Sequence, residues 1–219
     1  MQYYNYDKEE CDFTSLFEAL FSTKNLDTIS EMYDVKYERF NIPGRDSETL
    51  YHKIFYDKMR SGWPEFISTY EKFIVKNIFP LLGNPSDLII QKWPSFRIHL
   101  PGNLAVAGFH RDCDYNHPEK EINFIVPITK MYESNSTIIE QNIGKLDFEQ
   151  ITAEPGQFIR FNGNKLLHGN LPNTTGKSRI SFDFRVLRKE DYDASHNKTS
   201  LSKNSKFLIG HYYKILKRE

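Results

Sequence analysis

Residues 178–186 (SRISFDFRV) constrain the fold more than any other stretch of this chain. Strand side chains alternate sides, so Arg179, Ser181, Asp183 and Arg185 share one face, while Ile180, Phe182, Phe184 and Val186 share the other. A sheet carrying such a strand buries the apolar face and leaves the polar face against water or against a polar interior. A two-layer packing with one wet face satisfies the pattern, and so does a barrel whose interior receives two arginines. In a barrel, a fixed guanidinium can grip a carboxylate with two parallel hydrogen bonds, and a serine hydroxyl on the same face can add a third.

A second pattern gives such an interior a purpose. His110-Arg111-Asp112 follows the apolar run of residues 104–109 (LAVAGF), and His168 arrives far downstream between Leu167 and Gly169. In an extended strand, positions 110 and 112 point the same way, so one strand can supply two ligands and a distant strand the third. Two imidazoles and one carboxylate hold an iron(II) on one triangular face and leave the opposite face open. An H-x-D alone equally fits an exposed histidine and an aspartate in a turn, so context matters. Pro155-Gly156 is a turn signal, and residues 157–161 (QFIRF) after it read as a strand. Alternation turns Cys113 away from Asp112, as a small packing residue.

A length of 219 residues allows one domain with a well-buried core. Basic and acidic residues balance at 29 each, so the chain lacks the basic footprint that phosphate-backbone binding needs, and no nucleic-acid partner is expected. Two cysteines, Cys11 and Cys113, make no disulfide framework and favour a reducing compartment. The polar, acidic start lacks the character of a signal peptide, and no run approaches a membrane-spanning length. A cytoplasmic protein without a membrane partner is the expectation. The N-x-S/T triplets at Asn135, Asn173 and Asn197 are then chance matches.

Residues 1–90 favour helices. One begins at Thr14, with Leu16, Phe17, Leu20 and Phe21 as its apolar stripe. Ser47-Glu48-Thr49 opens a second that runs to about Arg60. Pro64 suits the first turn of a third, in which Phe66, Ile67, Tyr70, Phe73, Ile74 and Ile78 recur at helical spacing. Residues 91–188 hold short strands separated by Pro, Gly and Asn turns, as in a double-sheet jelly roll. Residues 189–204 are polar and expected to be mobile. The apolar tail after them either folds over the site as a lid or docks as an edge strand.

Taken together, His110-x-Asp112, His168 and Arg179-x-Ser181 resemble the iron(II)/2-oxoglutarate-dependent oxygenase superfamily, in particular its streptomycin-biosynthesis-like branch of small-molecule oxygenases. The resemblance spans residues 96–187 and takes in residues 123–129 (NFIVPIT), Asn135-Ser136, Pro155-Gly156, Asn162-Gly-Asn164 and Leu167-His168-Gly169; residues 210–213 (GHYY) also fit. It implies an α+β, mainly β fold: a double-stranded β-helix (jelly roll) with N-terminal helices outside the sheet, in one domain over residues 1–219. It implies iron(II) held by His110, Asp112 and His168, with Arg179 and Ser181 binding the distal carboxylate of the cosubstrate 2-oxoglutarate, and dioxygen taking the last position. Asn123 corresponds to a polar residue that helps hold the cosubstrate's other end, or is satisfied by neighbouring backbone.

Arg97 and His99, on an earlier strand, face either the same cavity, as substrate-binding residues, or solvent. Arg185 is a rival to Arg179 for the carboxylate and a further candidate for substrate. The implied reaction oxidises an unactivated C–H bond of a small molecule and releases succinate and carbon dioxide. Halogenating members of the superfamily lack a carboxylate at the position of Asp112, so hydroxylation, desaturation or ring closure is implied instead. A catalytic zinc also keeps an open position, but the chain has no His-Glu-x-x-His helix, and an Arg-x-Ser pair serves no purpose in a simple hydrolase. The alternative from another class is a non-catalytic jelly-roll ligand-binding protein, whose retired site is free to lose the residues that this chain keeps. Oligomeric state leaves no mark on the sequence.

Overall fold

A computed structural model describes residues 1–32, 49–105, 108–196, 198–201 and 204–218. Its first element is a strand, β1 (Gln2–Asn5), followed by α1 (Phe13–Phe21), α2 (Leu50–Ser61) and α3 (Pro64–Phe73). Nine shorter or central strands follow: β2 (Asp87–Gln91), β3 (Ser95–His99), β4 (Ile122–Pro127), β5 (Thr137–Glu140), β6 (Phe148–Gln150), β7 (Gln157–Phe161), β8 (His168–Asn170), β9 (Arg179–Arg188) and β10 (Thr199–Ser200). β11 (Ser205–Lys206) and β12 (Tyr213–Lys217) complete the chain.

The helices start where side chains can cap them. The Asp12 carboxylate accepts from Ser15 N at 3.0 Å ahead of α1, and the Thr49 hydroxyl accepts from His52 N ahead of α2. Ser47 and Glu48, expected to open α2, lie outside the described residues. Pro64 occupies the first turn of α3, where its missing N–H costs nothing. α3 runs on through a π-helical turn (Ile74–Ile78), so its apolar stripe stays against the sheet.

The strands form two main antiparallel sheets. The larger has the order β1-β7-β4-β9-β2-β12, with β3 also paired to β9; the smaller is β6-β5-β8. β9 is long enough to serve two partners on one edge: β2 pairs with its end at Val186–Arg188, and β3 with its start at Arg179–Asp183. Ile180, Phe182, Phe184 and Val186 of β9 are completely buried and join one aromatic-rich core with Phe13, Phe17 and Phe21 of α1, Phe55 of α2, and Phe66, Tyr70 and Phe73 of α3. The helices therefore cover the apolar face of the large sheet, as expected.

The opposite face is not wet. Arg179, Ser181, Asp183 and Arg185 are all buried, which selects the polar interior over the two-layer alternative. Ile125, Ile159 and Phe161 of the large sheet meet Ile139 of the small one in a second, smaller core.

Phe17 sits at the centre of the aromatic core, with Phe21, Phe55, Trp63, Phe66 and Phe96 around its ring. Phe17→Ala is expected to cost about 3–5 kcal/mol of stability, the usual range for a fully buried phenylalanine. Urea unfolding monitored by fluorescence measures this as a lowered midpoint at unchanged slope.

The structure refines four sequence expectations. The first 90 residues are not only helical, because β1 and β2 fall there. β1 carries no apolar alternation and is largely exposed at the sheet edge, where backbone pairing with β7 holds it (Tyr3 opposite Ile159). The stretch of residues 189–204 contains a 3-10 turn (Lys189–Asp191) and β10, which pairs with β11; Asn197 lies outside the described residues. The tail docks as an edge strand, β12 on β2, with Tyr213 opposite Gln91. Cys113 is exposed rather than packed, while Cys11 is buried. Among the described residues, no helix is long and apolar enough to cross a membrane.

Candidate metal centre

His110 and His168 converge because their backbones are bridge partners. Each donates its N–H to the other's carbonyl at 3.0 Å, a closely paired antiparallel bridge that projects both side chains to the same side. Their rings lie 4.5 Å apart. His110 Nδ1 donates to Gly108 O and His168 Nδ1 to Leu166 O, each at 2.9 Å. Carbonyls there require the proton on Nδ1, which leaves both Nε2 lone pairs facing inward.

Asp112 does not continue a strand from His110. It starts a 3-10 turn (Asp112–Tyr115), and its N–H donates to Gly163 O at 2.8 Å. The turn brings its carboxylate back towards the imidazoles: Oδ1 lies 3.8 Å from His110 Nε2 and 3.7 Å from His168 Nε2. These three ligand atoms form the metal-capable cluster found among the described residues.

Electrostatics prepares the three groups for a cation. Burial, reinforced by the facing His168, lowers the His110 imidazole to about 4, and burial lowers His168 as well. Both rings are thus neutral near pH 7, as ligation requires. Burial alone would push the Asp112 carboxyl up. Arg185 above all, with help from His117, His168 and Asn123, overcomes that and holds it well below the usual carboxylate range. Arg185 reaches Oδ2 with Nη2 at 3.1 Å and Oδ1 at 3.2 Å, and its Nε adds a bond to Oδ2. Asn123 Nδ2 also donates to Oδ2. Arg185 and Asn123 are direct cross-strand partners on β9 and β4, so the sheet register aims both at one carboxylate. The donor set fits a divalent iron: two neutral nitrogens, one ionised oxygen, and a second oxygen already engaged by the protein.

Gly163 makes this clamp possible. A Cβ there would sit 2.7 Å from Asn123 Nδ2 and 2.8 Å from Asp112 Oδ2, closer than real Cβ atoms come. Gly163 N also donates to Asn123 Oδ1 at 3.2 Å. Gly163→Ala is therefore expected to displace the carboxylate and weaken metal binding about ten- to hundredfold, with a small change in melting temperature. Metal titration by calorimetry beside a thermal melt separates the two effects.

A cavity of about 100 Å³ opens beside the cluster. Arg179, Ser181, Asp183 and Arg185 line it from β9, Arg97 and Ser95 from β3, and Thr137, His168 and Asn170 from the small sheet. Among the described residues the Arg179 guanidinium donates to Asn135 O at 3.0 Å, Ser181 Oγ at 3.0 Å and Asn170 Oδ1 at 3.1 Å. Tyr115, His117 and Tyr212 form the rest of the polar wall.

Two site expectations land elsewhere, and a third residue is already engaged. The Asn123 amide is spent on Asp112 and Gly163, and the residue does not line the cavity. His99 is completely buried, with its ring nitrogens against Asn103 O at 2.7 Å and Asn135 O at 3.1 Å, and also stays off the cavity. Arg185 lines the cavity, but its guanidinium is engaged by Asp112 and Asp183. Asn170 and Thr137 escaped the sequence reading. Asn170 was within reach, since alternation from His168 puts it on the same face of β8.

A buried imidazole away from the cluster makes stability depend on pH. Burial, aided by Arg97, lowers His52 to about 3. In the unfolded chain it titrates near 6.5. Between these values the unfolded state binds a proton that the folded state refuses, so stability is full above pH ~6.5 and declines towards pH ~3. The urea midpoint should be lower at pH 5 than at pH 7.5. Equal midpoints would show that this ring is not held neutral.

No family model matches the chain. The streptomycin biosynthesis protein StrG of Streptomyces griseus is 37% identical over 169 residues, which cover 77% of this chain and 77% of that protein. The solved structure of ThoJ, a non-heme monooxygenase in complex with nickel, superposes with a TM-score of 0.54 at 13% identity, over 85% of this chain and 73% of its own. Apo ThoJ gives a TM-score of 0.52 at 14% identity, over 84% and 71%. At these identities the likeness to ThoJ is one of fold. The chain belongs to the family of the streptomycin biosynthesis protein StrG and has the fold of a non-heme oxygenase, in keeping with the superfamily that its motifs resemble.

Proposed function

We propose that this protein is an iron(II)- and 2-oxoglutarate-dependent dioxygenase that oxidises an unactivated C–H bond of a small molecule. The observation that carries the reading is the convergence of His110 Nε2, His168 Nε2 and Asp112 Oδ1 beside a cavity that also receives the buried Arg179. Two facing antiparallel sheets with helices on one outer face fit the double-stranded β-helix of that superfamily. A single domain organised around one site fits the pairing of both chain ends, β1 and β12, into the large sheet.

Bound iron and 2-oxoglutarate would supply the oxidising power, with one oxygen atom of dioxygen going into succinate as carbon dioxide leaves and the other going to the substrate. The protein's own groups do the rest. His110 and His168 present neutral nitrogens, and Asp112 presents one oxygen while Arg185 and Asn123 retain the other. Arg179 and Ser181 bind the distal carboxylate of 2-oxoglutarate; a guanidinium already fixed by three acceptors loses little further freedom on binding. Arg97, Tyr115, His117 and Tyr212 face the substrate. A metabolic enzyme of the cytoplasm suits a chain whose two cysteines are both free thiols.

The experiment is succinate release with iron(II), ascorbate and oxygen. Slow cosubstrate turnover without substrate is expected, and a metabolite panel that stimulates it identifies the substrate. No succinate above the metal-free control, with iron shown to be bound, would instead mark a ligand-binding protein.

A further inference from the structure

Asp112 is the inner end of a chain of alternating charges. Arg97 directs Nε to Asp183 Oδ1 at 2.5 Å and Nη2 to Asp183 Oδ2 at 3.3 Å. Asp183 Oδ2 also accepts from Arg185 Nη1 at 2.5 Å. Arg185 in turn grips Asp112 through Nε and Nη2. The side chains of Asp183, Arg185 and Asp112 are 12%, 7% and 2% exposed, whereas that of Arg97 keeps 30% at the cavity wall. Sheet register builds the chain: Asp183 and Arg185 alternate on the inner face of β9, and Arg97 sits opposite Ser181, diagonal to Asp183.

Formal charges cancel along the four residues, which is how so many ions tolerate burial. The order of the links has a further consequence. Asp183 is shared between two guanidiniums, so anything that draws Arg97 away strengthens the hold of Asp183 on Arg185. Arg185 is shared between two carboxylates, so that change loosens its grip on Asp112. Arg185 Nη2 also lies 3.2 Å from Asp112 Oδ1, and this grip orients the carboxylate towards a metal, so a looser grip holds the metal less well.

We infer that Arg97, Asp183 and Arg185 form a positioning relay that couples the substrate-facing wall of the cavity to the way Asp112 holds the metal. The inference rests on the metal-site reading above. Arg97 and Arg185 act here through Asp112 and are positioning residues. An acceptor group of the substrate seated at Arg97 changes the metal environment without touching a ligand.

Cobalt(II) alone is the probe, titrated by calorimetry and followed by its visible ligand-field bands in the wild type, Arg97→Gln, Arg185→Met and the double variant. Arg185→Met should weaken cobalt binding about ten- to hundredfold and shift the bands. Arg97→Gln, three links from the ligand, should weaken it by a smaller factor, roughly two- to thirtyfold, and shift the same bands. The double variant should match Arg185→Met within about twofold, because a broken relay cannot be broken again. Wild-type affinity and spectrum in Arg97→Gln, or two factors that multiply in the double variant, would overturn the relay. Circular dichroism checks folding; should Arg185→Met not fold, Arg185→Lys keeps the charge, loses the fork and completes the same cycle. A wild type that binds no cobalt would end the metal-site reading itself, whereas binding with independent factors would end only the relay.

Discussion

Asp112→Asn is expected to reduce iron(II) affinity by two orders of magnitude or more and to remove iron-dependent succinate release. The substitution keeps the shape of the side chain and removes the one anionic ligand. Loss of an outer partner of a ligand alone costs about 10–100-fold in metal affinity, so loss of the ligand's charge costs at least as much. It also leaves the buried Arg185 facing a neutral amide. Removing one partner of a buried ion pair typically costs about 3–5 kcal/mol. Asp183 stays on Arg185 through Nη1, which places this variant towards the lower end of that range. A measurable drop in melting temperature should therefore accompany the lost metal. Calorimetric titration of iron(II) under anaerobic conditions, beside a thermal melt, checks both parts. Wild-type affinity would show that the two histidines hold the metal with other ligands.

Arg179→Met is expected to raise the 2-oxoglutarate requirement by about 30- to several-thousandfold, the equivalent of truncating a buried charge-assisted pair at about 2–5 kcal/mol. Iron affinity should stay within about twofold, because Arg179 bonds Asn135, Ser181 and Asn170 and none of the metal ligands. Methionine fills part of the arginine's apolar volume and keeps the packing of β9. The dependence of succinate release on 2-oxoglutarate concentration gives the answer. Arg185→Met offers the contrast: its first effect should fall on metal binding. An unchanged cosubstrate requirement in Arg179→Met, with a large rise in Arg185→Met, would exchange their roles.

Much of this was legible in the sequence, for physical reasons that differ from one element to the next. β9 could be read because a period of two is unambiguous when one face is aromatic and the other charged; burial of both faces then followed from its central place in the large sheet. The three helices were legible from their stripes, and two of them also from Thr49 and Pro64 at their starts; the Asp12 cap of α1 went unread. β1 was not, because an edge strand held by backbone bonds needs no apolar alternation. The three metal ligands could be named from residue type, but the route to their convergence was misread. His110 and Asp112 meet through a bridge followed by a 3-10 turn, and that turn depends on Gly163 fifty residues away. The true work of Asn123 and Arg185 was hidden for the same reason. Alternation says which face a side chain takes; only cross-strand register says which partner stands opposite.

Convergence on one ferrous ion with 2-oxoglutarate beside it is tested most directly by anaerobic absorption spectroscopy. Wild-type protein with iron(II) should develop a weak visible charge-transfer band on titration with 2-oxoglutarate, saturating at one equivalent; Asp112→Asn should lose it, and Arg179→Met should need far more cosubstrate to reach it. No band in the wild type, with iron bound and 2-oxoglutarate in excess, would contradict the account.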